Sequence, residues 1–259
     1  MKLGIGDDAA IFHSKPTEDL VFTTDLFIEN VHFLRADPPA AIGRRALARS
    51  LSDIAAMGAT PRFCLVSLAL PKWADEKWIK QFYRGLLRIA AETKAALAGG
   101  DLSHANQLFC DVMVCGAVPK DKALRRAGAR PGDSIYVSGP LGGWKNRRVI
   151  TPRLDIGHKL LGKATACMDI SDGLALDLHR LTIASRVAAE LDSIPLLKGA
   201  TVEQALHDGE DYELLYTAPP RVRVPGIRVG TIRKGKPGSL TYAGKPLKPS
   251  GYDHFQHRP

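Results

Sequence analysis

Cysteine is scarce in this sequence, and its spacing argues against a structural zinc site. The 259 residues include four cysteines, Cys64, Cys110, Cys115 and Cys167, which are scattered and do not form the two closely spaced ligand pairs of a structural zinc site. We therefore expect reduced, buried thiols that pack as small apolar side chains, as is usual in the cytoplasm.

Long apolar runs are also missing. No stretch approaches the roughly 18 uninterrupted apolar residues of a membrane helix, and the opening residues MKLGIGDDAA contain no apolar core of a signal peptide. Hydrophobic residues make up 45% of the chain and charged residues 24%, as in ordinary globular proteins. We expect a cytoplasmic protein that has no membrane partner.

Two common phosphate-binding signatures are absent. The sequence contains no Gly-x-x-x-x-Gly-Lys-Ser/Thr loop and lacks the set of protein-kinase motifs. The formal net charge is nevertheless +9, and basic chains bind nucleic acids or anionic metabolites. No nucleic-acid motif is recognisable, so a nucleic-acid partner would rest on net charge alone, and we expect none.

The pattern of apolar residues predicts strands and helices in both halves of the chain. Alternating runs indicate strands over 10–12, 20–24, 27–33, 63–70, 108–118, 134–138, 187–191 and 212–217, with a short one within 221–231. Helical spacing indicates helices over 41–57, 75–98, 172–185 and 202–206. This order lacks strict βαβ alternation and predicts an α+β fold of two α/β domains, 1–125 and 126–259.

Carboxylates in glycine- and alanine-rich surroundings carry the functional signal. They lie in Gly6-Asp7-Asp8, Thr23-Thr24-Asp25, Ser52-Asp53, Gly99-Gly100-Asp101, Asp169-Ile170-Ser171-Asp172-Gly173 and Gly209-Glu210-Asp211-Tyr212-Glu213. Singly, each segment also fits a turn, a helix cap or a solvated loop. Together they indicate a Mg²⁺ site, because Mg²⁺ is shared between carboxylates and substrate phosphates during phosphoryl transfer.

These segments occur in an order that spans nearly the whole chain. They are joined by Gly4-Ile5-Gly6, Glu29-Asn30-Val31-His32-Phe33, Arg126-Ala127-Gly128 and Gly251-Tyr252-Asp253-His254-Phe255. The ordered set resembles the thiamine-monophosphate kinase family, within the superfamily of aminoimidazole ribonucleotide synthetase. The resemblance implies phosphorylation of thiamine phosphate to thiamine diphosphate, with ATP as co-substrate and several Mg²⁺ ions.

The resemblance also implies roles for individual residues. The implied magnesium ligands are Asp8, Thr23, Thr24, Asp25, Asp53, Asp101, Asp169 and Asp172. The implied ATP contacts are Gly100, Asp101, Arg126 and Ser171, and the implied thiamine phosphate contacts are His32, Glu210 and Tyr252. The family fold has an N-terminal domain that binds ATP and Mg²⁺ and whose sheet forms a barrel across a homodimer. A C-terminal mixed-sheet domain completes the nucleotide and substrate site.

Apolar residues in the N-terminal segments give a separate reason to expect a homodimer. The residues concerned are Ile11, Val21, Phe27, Val31 and Phe33. They are too many for an open sheet face in water, and the predicted helices cover only one face. We therefore expect these strands to meet their copies in a second subunit.

Two departures from the family pattern leave alternatives open. Members usually carry a helical segment before Gly-Ile-Gly-Asp-Asp, whereas the sequence here starts almost at this motif. The segment 142–153 is also shorter than is usual in the family. One alternative is a related superfamily enzyme that uses ATP on another small molecule. The other is a degenerate protein that binds thiamine phosphate or nucleotide without turnover.

Overall fold

The chain consists of two structural units, each built on one sheet. The computed structural model describes residues 10–143 and 149–253. The first unit comprises Met1–Ile54 and Ala59–Asp121, and the second comprises Ala55–Gly58 and Lys122–Pro259. This division falls slightly before the boundary at 125/126 that we expected from the sequence.

The first unit contains a five-stranded sheet in the order β1-β2-β5-β3-β4. The strands are β1 (Ala10–Lys15), β2 (Glu18–Ile28), β3 (Thr60–Leu70), β4 (Ala96–His104) and β5 (Phe109–Pro119). The helices are α1 (Pro39–Ala56) and α2 (Glu76–Thr93). Strands β3 and β4 pair in parallel, and α2 connects them along the chain.

Strand β2 is longer than the two short strands expected in its place. It runs without interruption through Asp25, because every residue from Glu18 to Ile28 pairs with β5. The strand ends at Ile28, so the expected continuation to Phe33 was wrong. A turn follows instead, with Asn30 at φ 65°.

Helix α2 ends at Thr93, not at Ala98 as expected. Lys94 adopts a left-handed conformation (φ 59°), and its N–H caps the carbonyls of Ala90 and Ala91. The alanines that follow favour helix by propensity, but pairing with β3 overrides this preference.

Gly100 lies within β4, where an added Cβ would approach the Val66 carbonyl oxygen to 1.9 Å.

The two faces of this sheet differ in burial. Val21 and Phe27 are fully buried, on the face where Ser50 of α1 donates to the Val112 carbonyl. They therefore cannot form an open face, and our choice of interface residues was wrong for them and for the buried Phe33. The opposite face, here called the open face, carries apolar side chains that are half-buried or exposed: Phe22, Leu26, Leu65, Phe109 and Met113.

The second unit contains a seven-stranded mixed sheet in the order β12-β11-β8-β10-β6-β9-β7. Its strands are β6 (Ser134–Val137), β7 (Ala166–Asp169), β8 (Ala188–Leu191), β9 (Leu214–Ala218), β10 (Ile227–Arg233), β11 (Leu240–Tyr242) and β12 (Lys245–Leu247). Its helices are α3 (Leu154–Leu160), α4 (Leu174–Ser185) and α5 (Val202–His207). Our sequence interpretation missed α3, β7, β11 and β12. Within the described residues, no helix is both long and apolar enough to cross a membrane.

The four cysteines are free and buried, which confirms the expectation from their spacing. Burial raises the pKa of the Cys64 thiol to about 11, and burial also raises the pKa of Cys110. Such thiols stay protonated at neutral pH and are poor nucleophiles.

Helices α1 and α2 approach each other through two glycines. A Cβ on Gly43 would lie 2.0 Å from the Phe82 carbonyl oxygen, and one on Gly85 would lie 1.8 Å from that of Ala40. Both clashes are with helix backbone, which cannot rotate away as a side chain can. The contact therefore requires glycine on both helices.

We predict that Gly85→Ala lowers the free energy of unfolding by about 1–3 kcal/mol, because the helices must separate to admit the methyl group. Denaturant unfolding followed by circular dichroism measures this change. Arg84→Ala is the control, since Arg84 is exposed on the same helix. Equal unfolding midpoints for the two variants would contradict the close-contact interpretation.

Candidate functional site

One group of expected magnesium ligands lies on the helix-covered face of the first unit. The Thr23 hydroxyl donates a hydrogen bond to the Asp53 carboxylate. Asp53 belongs to α1, and Asp25 shares the face of β2 that carries Thr23, because the two are two residues apart. The structure therefore brings strand and helix oxygens together at this point.

A second group lies on the open face. The Thr24 hydroxyl donates to Asp111 Oδ1 at 2.6 Å. In strand register, Asp111 stands opposite Ser67, which in turn stands opposite Asp101. Ser103 donates to Asp101 Oδ2 at 2.9 Å. The expected ligands of this unit are thus divided between two faces, and the sequence interpretation missed Asp111, although a carboxylate inside an apolar strand was a visible signal.

His32, an expected substrate contact, is buried in the turn after β2. The Ile28 N–H donates to its Nδ1 at 2.9 Å, and the ring stacks on Phe27. Because Nδ1 accepts this bond, the neutral ring carries its proton on Nε2. Arg45 donates to the His32 carbonyl at 2.9 Å and fixes the turn further.

In the second unit, the loop between β7 and α4 carries three expected site residues. Asp169 ends β7 and is 3% exposed. The N–H groups of Ser171 and Asp172 donate to Asp177 Oδ2 at 3.1 and 2.9 Å. Burial, and then the nearby Asp172 carboxylate, raise the pKa of Asp177 to about 7.

Arg180 connects this loop to α4. Its Nη1 donates to Asp172 Oδ2 at 2.5 Å and to Asp177 Oδ1 at 2.7 Å. Asp172, an expected metal ligand, is therefore held by a cation of the protein. The sequence interpretation missed both partners; the i,i+3 spacing of Asp177 and Arg180 was the available signal.

The expected substrate contacts Glu210 and Tyr252 lie against the same loop. The N–H of Glu210 donates to the Ser171 carbonyl at 2.7 Å, and that of Tyr252 donates to the Asp172 carbonyl at 2.9 Å. Glu210 has a positive φ of 53°, a conformation that non-glycine residues hold only when neighbouring contacts impose it. Residues expected to bind ATP, metal and substrate thus meet in one cluster of loops.

Two further acidic residues, which follow Glu210 closely in the sequence, form hydrogen bonds with other parts of the second unit. Asp211 Oδ1 accepts the N–H groups of Gly142 and Gly143, each at 2.8 Å. Glu213, which is fully buried, receives Arg153 Nε at 2.8 Å and Arg153 Nη2 at 2.5 Å. The sequence interpretation grouped these carboxylates with the site but missed Arg153. Only the chain fold reveals such a partner, since the two residues are 60 positions apart.

Arg126, an expected ATP contact, differs in burial from its basic neighbours. It is half-buried, whereas Arg125 and Arg130 are exposed. The Arg125 carbonyl accepts the Cys167 N–H at 2.8 Å, which places the segment beside β7. Part of the Arg126 side chain is therefore removed from water, unlike the side chains of its two basic neighbours.

The donor types fit Mg²⁺, although the described residues do not form a complete cage. Within 10–143 and 149–253, no three His, Cys, Asp or Glu side chains converge closely enough to hold a metal ion. Asp8 lies outside the described residues. Hydroxyl and carboxylate oxygens are the ligands that Mg²⁺ prefers, and it keeps waters and substrate phosphates in its shell, so one or two carboxylates per ion suffice. The set of magnesium ligands remains a prediction.

Comparison with known proteins identifies relatives along nearly the whole chain. The family model of the AIR synthase related protein, N-terminal domain, matches residues 6–118. The thiamine-monophosphate kinase of Haemophilus influenzae is 33% identical over 99% of this chain and 92% of its own. That of Aquifex aeolicus is 32% identical over 97% and 92%.

Solved structures agree. AaThiL complexed with AMPPCP and TMP has a TM-score of 0.90 and 32% identity, covering 97% of this chain and 92% of that chain. The hydrogenase maturation protein HypE has a TM-score of 0.77 at 18% identity, which shows a shared fold alone. Similarity of this extent to the kinases means that the chain belongs to the thiamine-monophosphate kinase family.

Proposed function

We propose that this protein transfers the γ-phosphoryl group of ATP to the phosphate of thiamine phosphate, which yields thiamine diphosphate and ADP. The observation that carries the proposal is the meeting of Ser171, Asp172, Glu210 and Tyr252 in one cluster of loops. The relative AaThiL, complexed with AMPPCP and TMP, supports it, since these are a non-hydrolysable ATP analogue and thiamine monophosphate.

The chemistry asks for positioning rather than for a strong base. The acceptor phosphate is already ionised at neutral pH, so no proton has to be removed before its oxygen attacks the γ-phosphorus. The new P–O bond forms as the bond to the leaving ADP oxygen breaks. In-line alignment and neutralisation of charge then supply most of the rate.

The chain offers residues for each task. Thr23, Asp25, Asp53, Asp101, Asp169 and Asp172, with Thr24 and Asp8, are the proposed magnesium ligands. Mg²⁺ held by these residues would neutralise negative charge on the phosphate groups of both substrates. Gly100, Asp101, Arg126 and Ser171 bind ATP in this proposal, whereas His32, Glu210 and Tyr252 bind thiamine phosphate.

The domain roles and the homodimer belong to the same proposal. Residues 1–125 bind ATP and Mg²⁺ and dimerise, and residues 126–259 complete the site. The open face supports a dimer, because Leu26 is 47% and Phe109 39% exposed on a sheet face that water would otherwise wet. Pairing two such faces around a two-fold axis would close a barrel.

The decisive experiment is turnover. We predict that purified protein, incubated with ATP, Mg²⁺ and thiamine phosphate, forms thiamine diphosphate detectable by chromatography. Chelation should stop the reaction, and Ca²⁺ should restore it poorly, because Ca²⁺ accepts longer and less regular coordination. Binding of both ligands without product would favour the degenerate binder. Consumption of ATP only with another acceptor would favour a related superfamily enzyme.

We predict that Asp53→Asn and Asp101→Asn each lower kcat by about 100-fold or more, because each loses a charge that faces the phosphates through a metal. Asparagine keeps the shape and a carbonyl oxygen, so circular dichroism should be unchanged. Asp155→Asn is the matched control, since that carboxylate is an exposed partner of Lys159. Wild-type kcat in either folded variant removes that residue from the metal set.

We predict that Leu26→Asp releases monomers, because the added carboxylate would lose its water at the interface and would stand opposite Asp111 on the same face, where like charges repel. Light scattering measures the mass: wild type should be about twice 28.1 kDa and the variant near 28.1 kDa. Leu87→Asp on α2 is the control, because Leu87 is equally exposed, at 47%. A wild-type mass near that of one chain, or a dimeric Leu26→Asp variant, contradicts this interface.

A further inference from the structure

The turn that contains Arg126 is held by a residue distant in sequence. Gly128 in this turn has φ 134°, and an added Cβ would lie 2.2 Å from the Thr165 carbonyl oxygen. The turn is therefore pressed closely against the segment before β7. Backbone groups of this turn are partly buried and need hydrogen-bond partners there.

Ser185 supplies these partners. Its hydroxyl donates to the Arg126 carbonyl at 3.0 Å and accepts the N–H groups of Gly128 and Ala129, each at 3.2 Å. A serine hydroxyl has one donor and two acceptor sites. All three hydrogen-bonding positions of the Ser185 hydroxyl are thus used on this one turn. Arg126 and Ser185 are 59 residues apart in the sequence.

Ser185 is also the last residue of α4, the helix that follows the Ser171–Asp172 loop. Arg180 and Asp177 of the same helix bind Asp172 and the loop N–H groups. Helix α4 therefore contacts two segments that carry proposed ATP contacts. Asp177 and Arg180 bind the loop of Ser171, and Ser185 binds the turn of Arg126. Removing the Ser185 hydroxyl takes away the second contact and leaves the side chains that make the first contact in place.

We propose that Ser185 is a positioning residue for nucleotide binding: its hydroxyl fixes the backbone of the Arg126 turn and thereby the direction of the Arg126 guanidinium. This inference rests on the proposed assignment of Arg126 to ATP. A guanidinium recognises phosphate through a planar set of donors, so its orientation decides the strength of the contact. Ser185 itself touches no ligand in this proposal.

The first test compares variants at this position by calorimetric binding of AMPPCP with Mg²⁺. Ser185→Ala should raise the Kd about tenfold, because misplacement of a binding group by a fraction of an ångström is costly. Ser185→Thr keeps the hydroxyl and should restore affinity. Ser193→Ala, an exposed serine of the same unit, is the control. An unchanged Kd in Ser185→Ala overturns the proposal, as does equal loss in Ser185→Thr and Ser185→Ala.

A double-mutant cycle separates positioning from general stability. If Ser185 acts through Arg126, Ser185→Ala should cause no further loss of AMPPCP affinity in an Arg126→Ala background. Equal losses in both backgrounds, or Arg126→Ala without effect on the Kd, overturn the proposal. In kinetics, the KM for ATP should rise while kcat and the KM for thiamine phosphate stay near wild type. If the wild-type protein binds AMPPCP but forms no thiamine diphosphate, the proposed turnover is refuted. The AMPPCP affinities of the Ser185 and Arg126 variants would still decide the role of Ser185.

Discussion

A carboxylate removed from water must receive donors from the protein, and this requirement organises the candidate site. Asp177 and Glu213 are fully buried. Asp177 takes two backbone N–H groups together with Arg180, and Glu213 takes Arg153. The hydrogen bonds to each carboxyl group join it to the segments that supply the donors. The same bonds therefore fix the loops that carry Ser171, Asp172 and Glu210.

The segment Gly209-Glu210-Asp211-Tyr212-Glu213 combines conformational strain with such anchors. Glu210 and Tyr212 have positive φ values of 53° and 50°, which cost on the order of 1–3 kcal/mol each. Asp211 and Glu213 alternate with them and are tied to Gly142, Gly143 and Arg153. The anchors offset the strain, and the strained residue Glu210 is held against the Ser171 carbonyl. Strain and anchoring are thus parts of one arrangement.

Local pattern predicted most elements of this fold but not those set by distant pairing. Helix α1 and strand β3 were expected within a few residues of where they lie, because their apolar spacing is strong. The sequence predicts helix for the alanines of β4, since no local pattern indicates their pairing with β3. The prediction was also wrong for the faces of β2: Val21 and Phe27 were expected at an interface, but both are fully buried, and Arg45 and Arg49 of α1 lie over the Phe27 ring. Periodicity identifies an apolar face without telling what packs on it.

For the site, the sequence showed the carboxylates but not their protein partners. Arg153, Arg180 and Ser185 stand in no motif, and their roles appear only in three dimensions. The shortness of the segment 142–153 was one reason to consider a protein that binds its ligands without turnover. The contacts at the two ends of this segment bear on that alternative. Gly142 and Gly143 bind Asp211 at one end of it, and Arg153 binds Glu213 at the other. The described residues on both sides of 144–148 are therefore fixed to the segment of Glu210, and the geometry of that proposed substrate residue depends on these contacts.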